Sequence, residues 1–372
     1  MHFNAENAQF AAALDAVRGA VKPSTIPILS HIHVTASDNR VTVRANNLER
    51  EIEASFPAQV EVPGAAALPG EVLLGIVKRL PKGGDCELQM TGEVAEVRAS
   101  RARYSLRSLP AADFPVPRTM PETAVRIEID GQVLRDALRA VLYATNANDS
   151  RSFCKGVGVQ PNGDGRHLDF VSTDGHRLAL YQAPLPAGGD KLPPICIPAE
   201  GCKVLLDTVA GAETVAVAAT DANIEVAVGS TRFVTALIDT QYPDFWRLIP
   251  RTEVKAATVR PHALTEALER AVVVFATITE KTAPAVRLSR GDGAINLDAG
   301  RAGAETGREV VEAEVNGTDF DVGVVHRYLA DMLRVWPEDA EVNLIHSGGM
   351  SPTLWRSASA PEQTHLIMPT RL

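Results

Sequence analysis

The side chains best suited to chemistry stand in one short stretch, TDGHRL, where Asp174 and His176 lie two residues apart, just after Asp169 on a strand-like run. An acid and a base on one strand face could move a proton, and with Asp169 the set could hold a metal ion. No Ser or Cys nucleophile motif accompanies them. Asp-Gly between the alternating runs DFVST and HRLALY is instead the signal of a two-residue hairpin in which Asp and Gly both take positive φ. The cysteines Cys86, Cys154, Cys196 and Cys202 fit no zinc spacing and read as buried thiols. The glycine-rich GVGVQPNGDG (156–165) lies between strands, where a phosphate loop would have to open a helix, and no GxxxxGK followed by Ser or Thr occurs.

The elements that must position these residues recur. FAAALDAVRGAV (10–21), LRDALRAVLYAT (134–145) and LTEALERAVVVF (264–275) align on Ala13-Leu14, Ala137-Leu138 and Ala267-Leu268, spaced by 124 and 130 residues. A second set, ALPGEVLLGIVKRLP (67–81), CIPAEGCKVLLDTVA (196–210) and GVVHRYLADMLRVWP (323–337), repeats at 129 and 127. A period near one third of 372 residues is domain-sized, too long for a solenoid repeat. The reading is therefore three tandem domains, 1–122, 123–251 and 252–372, with Pro-rich seams at PVPRTMPET and IPRTEVK. Period-two runs such as HIHVTAS, RVTVRA, TVAVAAT and IEVAVGS flank the helices. Each third then reads as two units of strand, helix and three strands, an α+β domain with its two helices on one side of the sheets.

Composition narrows the class. At 45% hydrophobic and 22% charged the chain is ordinary for a globular protein. No apolar run approaches a membrane span and MHFNAENAQF is no signal peptide, so the expected location is cytoplasmic. The formal charge is −9 and none of the thirds is basic, so any nucleic-acid contact must come from a local reversal of sign. Such reversals are present at helical spacing: Arg18 and Lys22, Lys78 and Lys82, and Arg135 and Arg139 at i,i+4, and Arg327 and Arg334 at i,i+7. Each pair is expected to share one helix face, while Glu266 and Glu269 beside Arg270 break the pattern.

The three tandem domains, PSTIPILSH (23–31), LPAADFP (109–115), TDGHRLALY (173–181), YPDFWRLIP (242–250) and the terminal IMPTRL together resemble the bacterial DNA polymerase III β subunit, the sliding-clamp family, from end to end. Asn46 and Asn47 stand where that family more often has Thr-Asp, and Cys154 and Thr370 where larger apolar residues are common. The resemblance implies a non-catalytic, cofactor-free processivity factor: a head-to-tail homodimeric ring around double-stranded DNA, half of it formed by this chain, helices inside and sheets outside. It implies sequence-independent DNA contact and, through short peptide motifs, partners that include the replicative polymerase, the clamp loader and repair proteins. The alternatives are a divergent second clamp copy with a specialised role and a metal-dependent hydrolase or nuclease using Asp169, Asp174 and His176.

Carried over residue by residue, the resemblance implies a partner-peptide groove walled by Cys154, Thr173, Gly175, His176, Arg177, Leu178, Pro243, Arg247, Leu248, Tyr328, Met350, Leu366, Met368, Pro369, Thr370, Arg371 and Leu372. An apolar concavity with cationic rims suits a peptide with Leu or Phe anchors and a Gln or carboxylate handle. The DNA-facing set would be Arg18, Lys22, Lys78, Lys82, Arg135, Arg139, Arg151, Phe153 and Lys155. The dimer interface would join Arg101, Arg103, Tyr104 and Leu106 of the strand RARYSLRSL to Val273, Val274, Glu305 and Glu309.

Overall fold

The computed structural model describes the chain apart from Lys82, residues 251–253, 276–283, 301–304 and 317–318, and Leu372. The repeated windows form six helices: α1 (Asn7–Val17), α2 (Gly70–Val77), α3 (Gly131–Leu142), α4 (Ala199–Thr208), α5 (Pro261–Ala271) and α6 (His326–Leu333). The first of each pair buries the same four positions in every copy: Phe10, Ala13, Leu14 and Val17; Leu134, Ala137, Leu138 and Val141; Leu264, Ala267, Leu268 and Ala271. These fall at i, i+3, i+4 and i+7, one stripe of a helix, and each full-sized aliphatic side chain buried there is worth about 2 kcal/mol. Starts are signalled locally. Asp130 Oδ1 accepts the N–H groups of Gln132 and Val133 at 2.9 and 3.0 Å, and Pro261 opens α5.

Each third does contain two strand–helix–three-strand units, but the units exchange a strand. The strand before α1 (His2–Glu6) pairs with Asp85–Thr91 of the second unit, while Gly64–Pro69, before α2, pairs with His31–Ser37 of the first. The same exchange joins Val125–Asp130 to Thr214–Ala219 and Ile195–Pro198 to Gly156–Pro161. It recurs in Lys255–Val259 with Val342–Ile345, and Asp321–Val325 with Ala285–Arg290. No unit can therefore complete its sheet alone, which makes the pair the cooperative element. Two short strands not foreseen, Gln59–Val62 and Glu314–Val315, add an edge in the first and third domains.

The described strands form sheets of five, eight, nine and four, and two of these run across domain seams. Arg50–Pro57 pairs with Thr231–Ala236, and Arg177–Pro184 with Gln363–Ile367. As a result the chain divides into two compact units that cut through the middle domain: Met1–Leu134 with Pro186–Pro193 and Glu200–Leu237, and Arg135–Leu185 with Pro194–Ala199 and Ile238–Leu372. In the first, α1 packs on Arg40–Asn46, Arg50–Pro57 and α2; in the second, α5 packs on Thr306–Glu312 and α6. All four cysteines are buried, as expected, and burial pushes the Cys86 and Cys196 thiols up to about 11 and about 12. Among the described residues no helix is long and apolar enough to cross a membrane.

Candidate functional site

The TDGHRL hairpin belongs to the second unit, and its turn differs from the two-residue type read from Asp-Gly. Thr173 pairs with Leu178, leaving four residues in the loop, and only Gly175, at φ +83°, takes the left-handed conformation. Side chains supply the bonds that a tighter turn would make through its backbone. Thr173 Oγ1 donates to the Arg177 carbonyl and accepts Gly175 N–H, while Asp174 Oδ1 accepts the N–H groups of His176 and Arg177 at 2.9 and 3.0 Å. The positive φ favours glycine at 175, and a Cβ there would displace the Arg151 guanidinium.

The same turn occurs in the first unit, which the sequence did not disclose. Asn47 Oδ1 accepts Glu49 and Arg50 N–H, Asn46 Oδ1 accepts Leu48 N–H, and Leu48 holds φ +71° where Gly175 stands in the other copy. Asn46 and Asn47 are therefore working replacements for Thr173 and Asp174. Beneath them Glu51, fully buried, accepts Asn46 Nδ2 at 2.8 Å, Arg232 at 3.1 Å and Arg118 N–H at 3.2 Å, with Arg44 at 3.6 Å. Arg118 also donates to the Leu48 carbonyl, so this charge cluster ties the Pro-rich segment after the first domain to the seam.

Arg177 was expected as a groove wall but is 8% exposed. Its guanidinium donates to Asp174 Oδ2 at 3.0 Å, Asp331 Oδ2 on α6 at 2.6 Å and the Tyr143 carbonyl at 2.7 Å, and lies over the Tyr143 and Tyr328 rings. Thr173, Cys154, Leu178 and Leu366 are likewise buried, so they support the surface without walling it. Leu178 and Leu366 join Val171, Phe245, Ile249, Ile345 and Leu354 in one apolar cluster against Tyr242. The exposed candidates flank that cluster in sequence. His176 stacks on Tyr328 with ring centroids 6.1 Å apart and accepts Met368 N–H on its carbonyl at 2.8 Å. Leu248, Met350 and Met368, all well exposed, project from segments anchored by Phe245 and Ile249, by Ile345 and Leu354, and by Leu366. Pro243, Arg247 and Arg371 are exposed, Pro369 and Thr370 half-buried, and Leu372 lies outside the described residues. Arg247 is paired with Asp244 at 2.7 Å. Trp246, partly exposed beside Leu248, was missed; its aromatic neighbours in YPDFWRLIP were the available signal.

The metal reading finds its acids otherwise engaged. Asp169 is fully buried and accepts from Asn162, Gln182 and Trp246, burial raises its pKa, and Asp174 is committed to Arg177. Among the described residues no three His, Cys, Asp or Glu side chains are grouped to hold a metal ion.

The basic pairs are rearranged by the helix ends. Arg18, Lys78 and Arg334 are the C-caps of α1, α2 and α6; Lys22 lies past the 3₁₀ turn Arg18–Ala20 and so shares no helix face with Arg18, and Lys82 lies outside the described residues. Pro81, four residues after Val77, bars α2 from continuing. A cation at a C-terminus complements the helix dipole, which gives these residues a structural role as well. In the first unit Arg18 lies 3.8 Å from Asp15, Lys78 bonds the same carboxylate, and Lys22 is exposed. In the second, Arg135 and Arg139 do share α3, Arg135 half-buried and Arg139 exposed. Arg151 braces the hairpin, paired with Asp149 at 2.8 Å and donating to the Asp174 carbonyl at 2.8 Å; Phe153, half-buried, lies under it against Tyr242, and Lys155 is half-buried.

Arg103, Tyr104, Leu106 and Glu309 lie on two open sheet edges, Ala102–Arg107 and Thr306–Glu312, with Arg101 and Glu305 just before them, while Val273 and Val274 stand in the 3₁₀ turn Val272–Phe275 after α5. Arg101, Arg103, Tyr104, Val273 and Glu305 are exposed, and Val274 is half-buried. Leu106 is 6% exposed, inside its own domain, and Glu309 is held by Arg270 at 2.8 Å, so neither is free as expected. Val310, 65% exposed on the second edge, was not singled out.

Comparison with known proteins agrees along the whole chain. Family models for the DNA polymerase III beta subunit match residues 1–121 (N-terminal domain), 128–244 (central domain) and 246–371 (C-terminal domain). The beta sliding clamp of Caulobacter vibrioides is 31% identical over 382 residues and that of Escherichia coli K12 26% over 378, each covering all of both chains. The crystal structure of the Caulobacter crescentus beta sliding clamp superposes with a TM-score of 0.92 at 30% identity, covering 100% of this chain and 99% of that one. A Pseudomonas aeruginosa sliding clamp bound to griselimycin gives 0.92 at 26%, covering both chains completely. Carrying all three domains of one family in order, at this likeness along its full length, the chain belongs to the DNA polymerase III beta subunit family of DNA sliding clamps.

Proposed function

We propose that this sliding clamp works as a ring of two chains joined head to tail, each with domains bounded near residues 122 and 251, threaded by double-stranded DNA. One observation carries the reading. At both internal seams the last strand of a domain's first unit pairs with the last strand of the next domain's second unit: Arg50–Pro57 with Thr231–Ala236, and Arg177–Pro184 with Gln363–Ile367. The two strands of this kind left over are Thr306–Glu312 and Ala102–Arg107, both open edges. Exposed edges of this length invite pairing, and a head-to-tail contact closes only at the right rotation. A second copy would supply each edge with the partner that the repeat calls for.

The ring itself does no chemistry; it tethers enzymes that do. The surface around His176, Leu248, Met350 and Met368 takes short peptides of the replicative polymerase, the clamp loader and repair proteins, with apolar side chains over the buried cluster and Arg247 and Arg371 at the rim. Weak, sequence-independent contact from Lys22, Arg135 and Arg139 suits a protein that must slide, because the link to DNA is topological. The setting is cytoplasmic. Sedimentation should give a dimer, and clamp loaded on nicked circular DNA should stay bound until the circle is linearised; loss at the same rate from both forms would refute encirclement. A peptide with Gln, Leu and Phe anchors should bind the intact chain about thirtyfold more tightly than one lacking residues 368–372. Equal affinities would place the partner site elsewhere.

A further inference from the structure

We infer that the two copies meet in one defined register, Thr306 opposite the partner's Ser105, Gly307 opposite Tyr104 and Arg308 opposite Arg103, which sets two arginines against each other at the closing seam. The inference rests on the head-to-tail dimer proposed above and follows from the repeat. In the hairpins leading to the first partner strand, Arg40 faces Pro57, His167 faces Pro184 and Ala294 faces Glu312, so Pro57, Pro184 and Glu312 are equivalent positions. Three residues earlier, Ala54 faces Thr231 and Tyr181 faces Gln363 across the internal seams. In the second partner strand Thr231 closes on Val228 as Ala102 closes on Ala99, making Thr231 and Ala102 equivalent. The third seam must then place Glu309 opposite Ala102, and the other pairs follow.

Side chains support this register independently. Two positions on, the internal seams set a fully buried ring against a smaller aliphatic, Phe233 against Ile52 and His365 against Ala179. The third seam sets Tyr104, 40% exposed in the single chain, against Gly307. Gly307 has no side chain to spare, because a Cβ there would meet the Ala271 carbonyl of α5 at 2.9 Å. The outward row is less well matched. At the first seam Arg232 faces Glu53 and bonds Glu225, whereas its equivalent Arg103 lies between Arg98 on its own sheet and Arg308 of the other copy. Arg98 is taken by Glu96 and Glu87, and Arg308 by Asp298. Like charges directly opposite weaken a strand pair, so the seam that must open is the one with an uncompensated cation.

Engineered cysteines test the register. Thr306→Cys is combined in turn with Ser105→Cys, Arg103→Cys or Arg107→Cys, all at exposed positions, and oxidised with copper phenanthroline; the four native thiols are buried. Opposed residues about 5.5 Å apart suit a disulfide. Only the Ser105→Cys pair should give a covalent dimer in high yield on a non-reducing gel. A dominant cross-link from either slipped pair, with a dimer in solution, overturns the register while leaving the ring intact. A monomer in sedimentation with no cross-link from any pair sinks the dimer and this proposal together. Separately, Arg103→Glu should tighten the dimer, by about two- to fivefold per seam and on the order of tenfold for the two seams of a ring. Weakening by a similar factor would mean that Arg103 meets an acid and that the arginines are not opposed.

Discussion

Arg177 is the residue whose loss should cost the candidate groove most, although it cannot touch a ligand directly. Replacing it by Ala leaves Asp174, 5% exposed, without its cation, and removes the ties to Asp331 and the Tyr143 carbonyl. Breaking a buried pair by deleting one partner costs about 3–5 kcal/mol. The lower end applies, because Asp331 is 38% exposed and its share is screened, and because Asp174 keeps two backbone N–H donors. About 3 kcal/mol of local stability corresponds to roughly hundredfold faster opening. Amide hydrogen exchange in Arg177–Pro184 and Gln363–Ile367 should therefore accelerate by about two orders of magnitude, with α1 and Arg50–Pro57 unchanged. Affinity for an anchor peptide should fall in parallel, since His176 loses its support. Arg177→Lys should recover only part of this, because one ammonium cannot reach three acceptors held around a planar fork. Unchanged exchange and unchanged peptide affinity in Arg177→Ala would mean that the turn bonds of Thr173 and Asp174 hold the hairpin alone.

Other expectations follow from the same geometry. His365, fully buried, donates from Nε2 to Gln363 and accepts the Tyr143 hydroxyl on Nδ1, and burial lowers its pKa to about 3. The unfolded chain takes up this proton near pH 6.5, so its contribution is intact above that pH and is lost on acidification toward 3. Between pH 7 and 5 the loss is about 2 kcal/mol, and His365→Asn should flatten the urea midpoint over that interval. Glu51→Gln strips Arg44 and Arg232 of their shared acid and weakens the acceptor of the Arg118 backbone N–H, and should destabilise the first seam by about 3 kcal/mol, read as faster tryptic cleavage after Arg118; an unchanged cleavage rate would contradict the cluster's role. Arg139→Glu should lower the salt slope of DNA binding by about one counterion while the dimer persists, and an unaltered slope would remove α3 from the DNA surface.

The repeat was legible in the sequence because helix stripes are local. Phe10 to Val17, Leu134 to Val141 and Leu264 to Ala271 declare the same buried face through spacing alone, and alternating runs declare the strands. Where helices stop was less legible: Arg18 and Lys78 continue a helical spacing on paper but prove to be the C-caps, and Pro81 bars α2 from continuing by geometry rather than by charge pattern. Strand partners were legible only across the Asp-Gly hairpin, where His167–Thr173 does pair with Arg177–Pro184. Period two tells which side of a strand is apolar, not which strand lies beside it, so the exchange of first strands between units and the seams at Arg50–Pro57 and Arg177–Pro184 appear only when the chain is folded. The same limit separated the groove residues. In TDGHRL, Thr173, Arg177 and Leu178 are buried while His176 between them is exposed, and Leu366 is buried two residues from exposed Met368; covering by elements distant in the chain decides which of them a ligand can meet. Burial is a property of non-local packing, and only the tertiary structure assigns it.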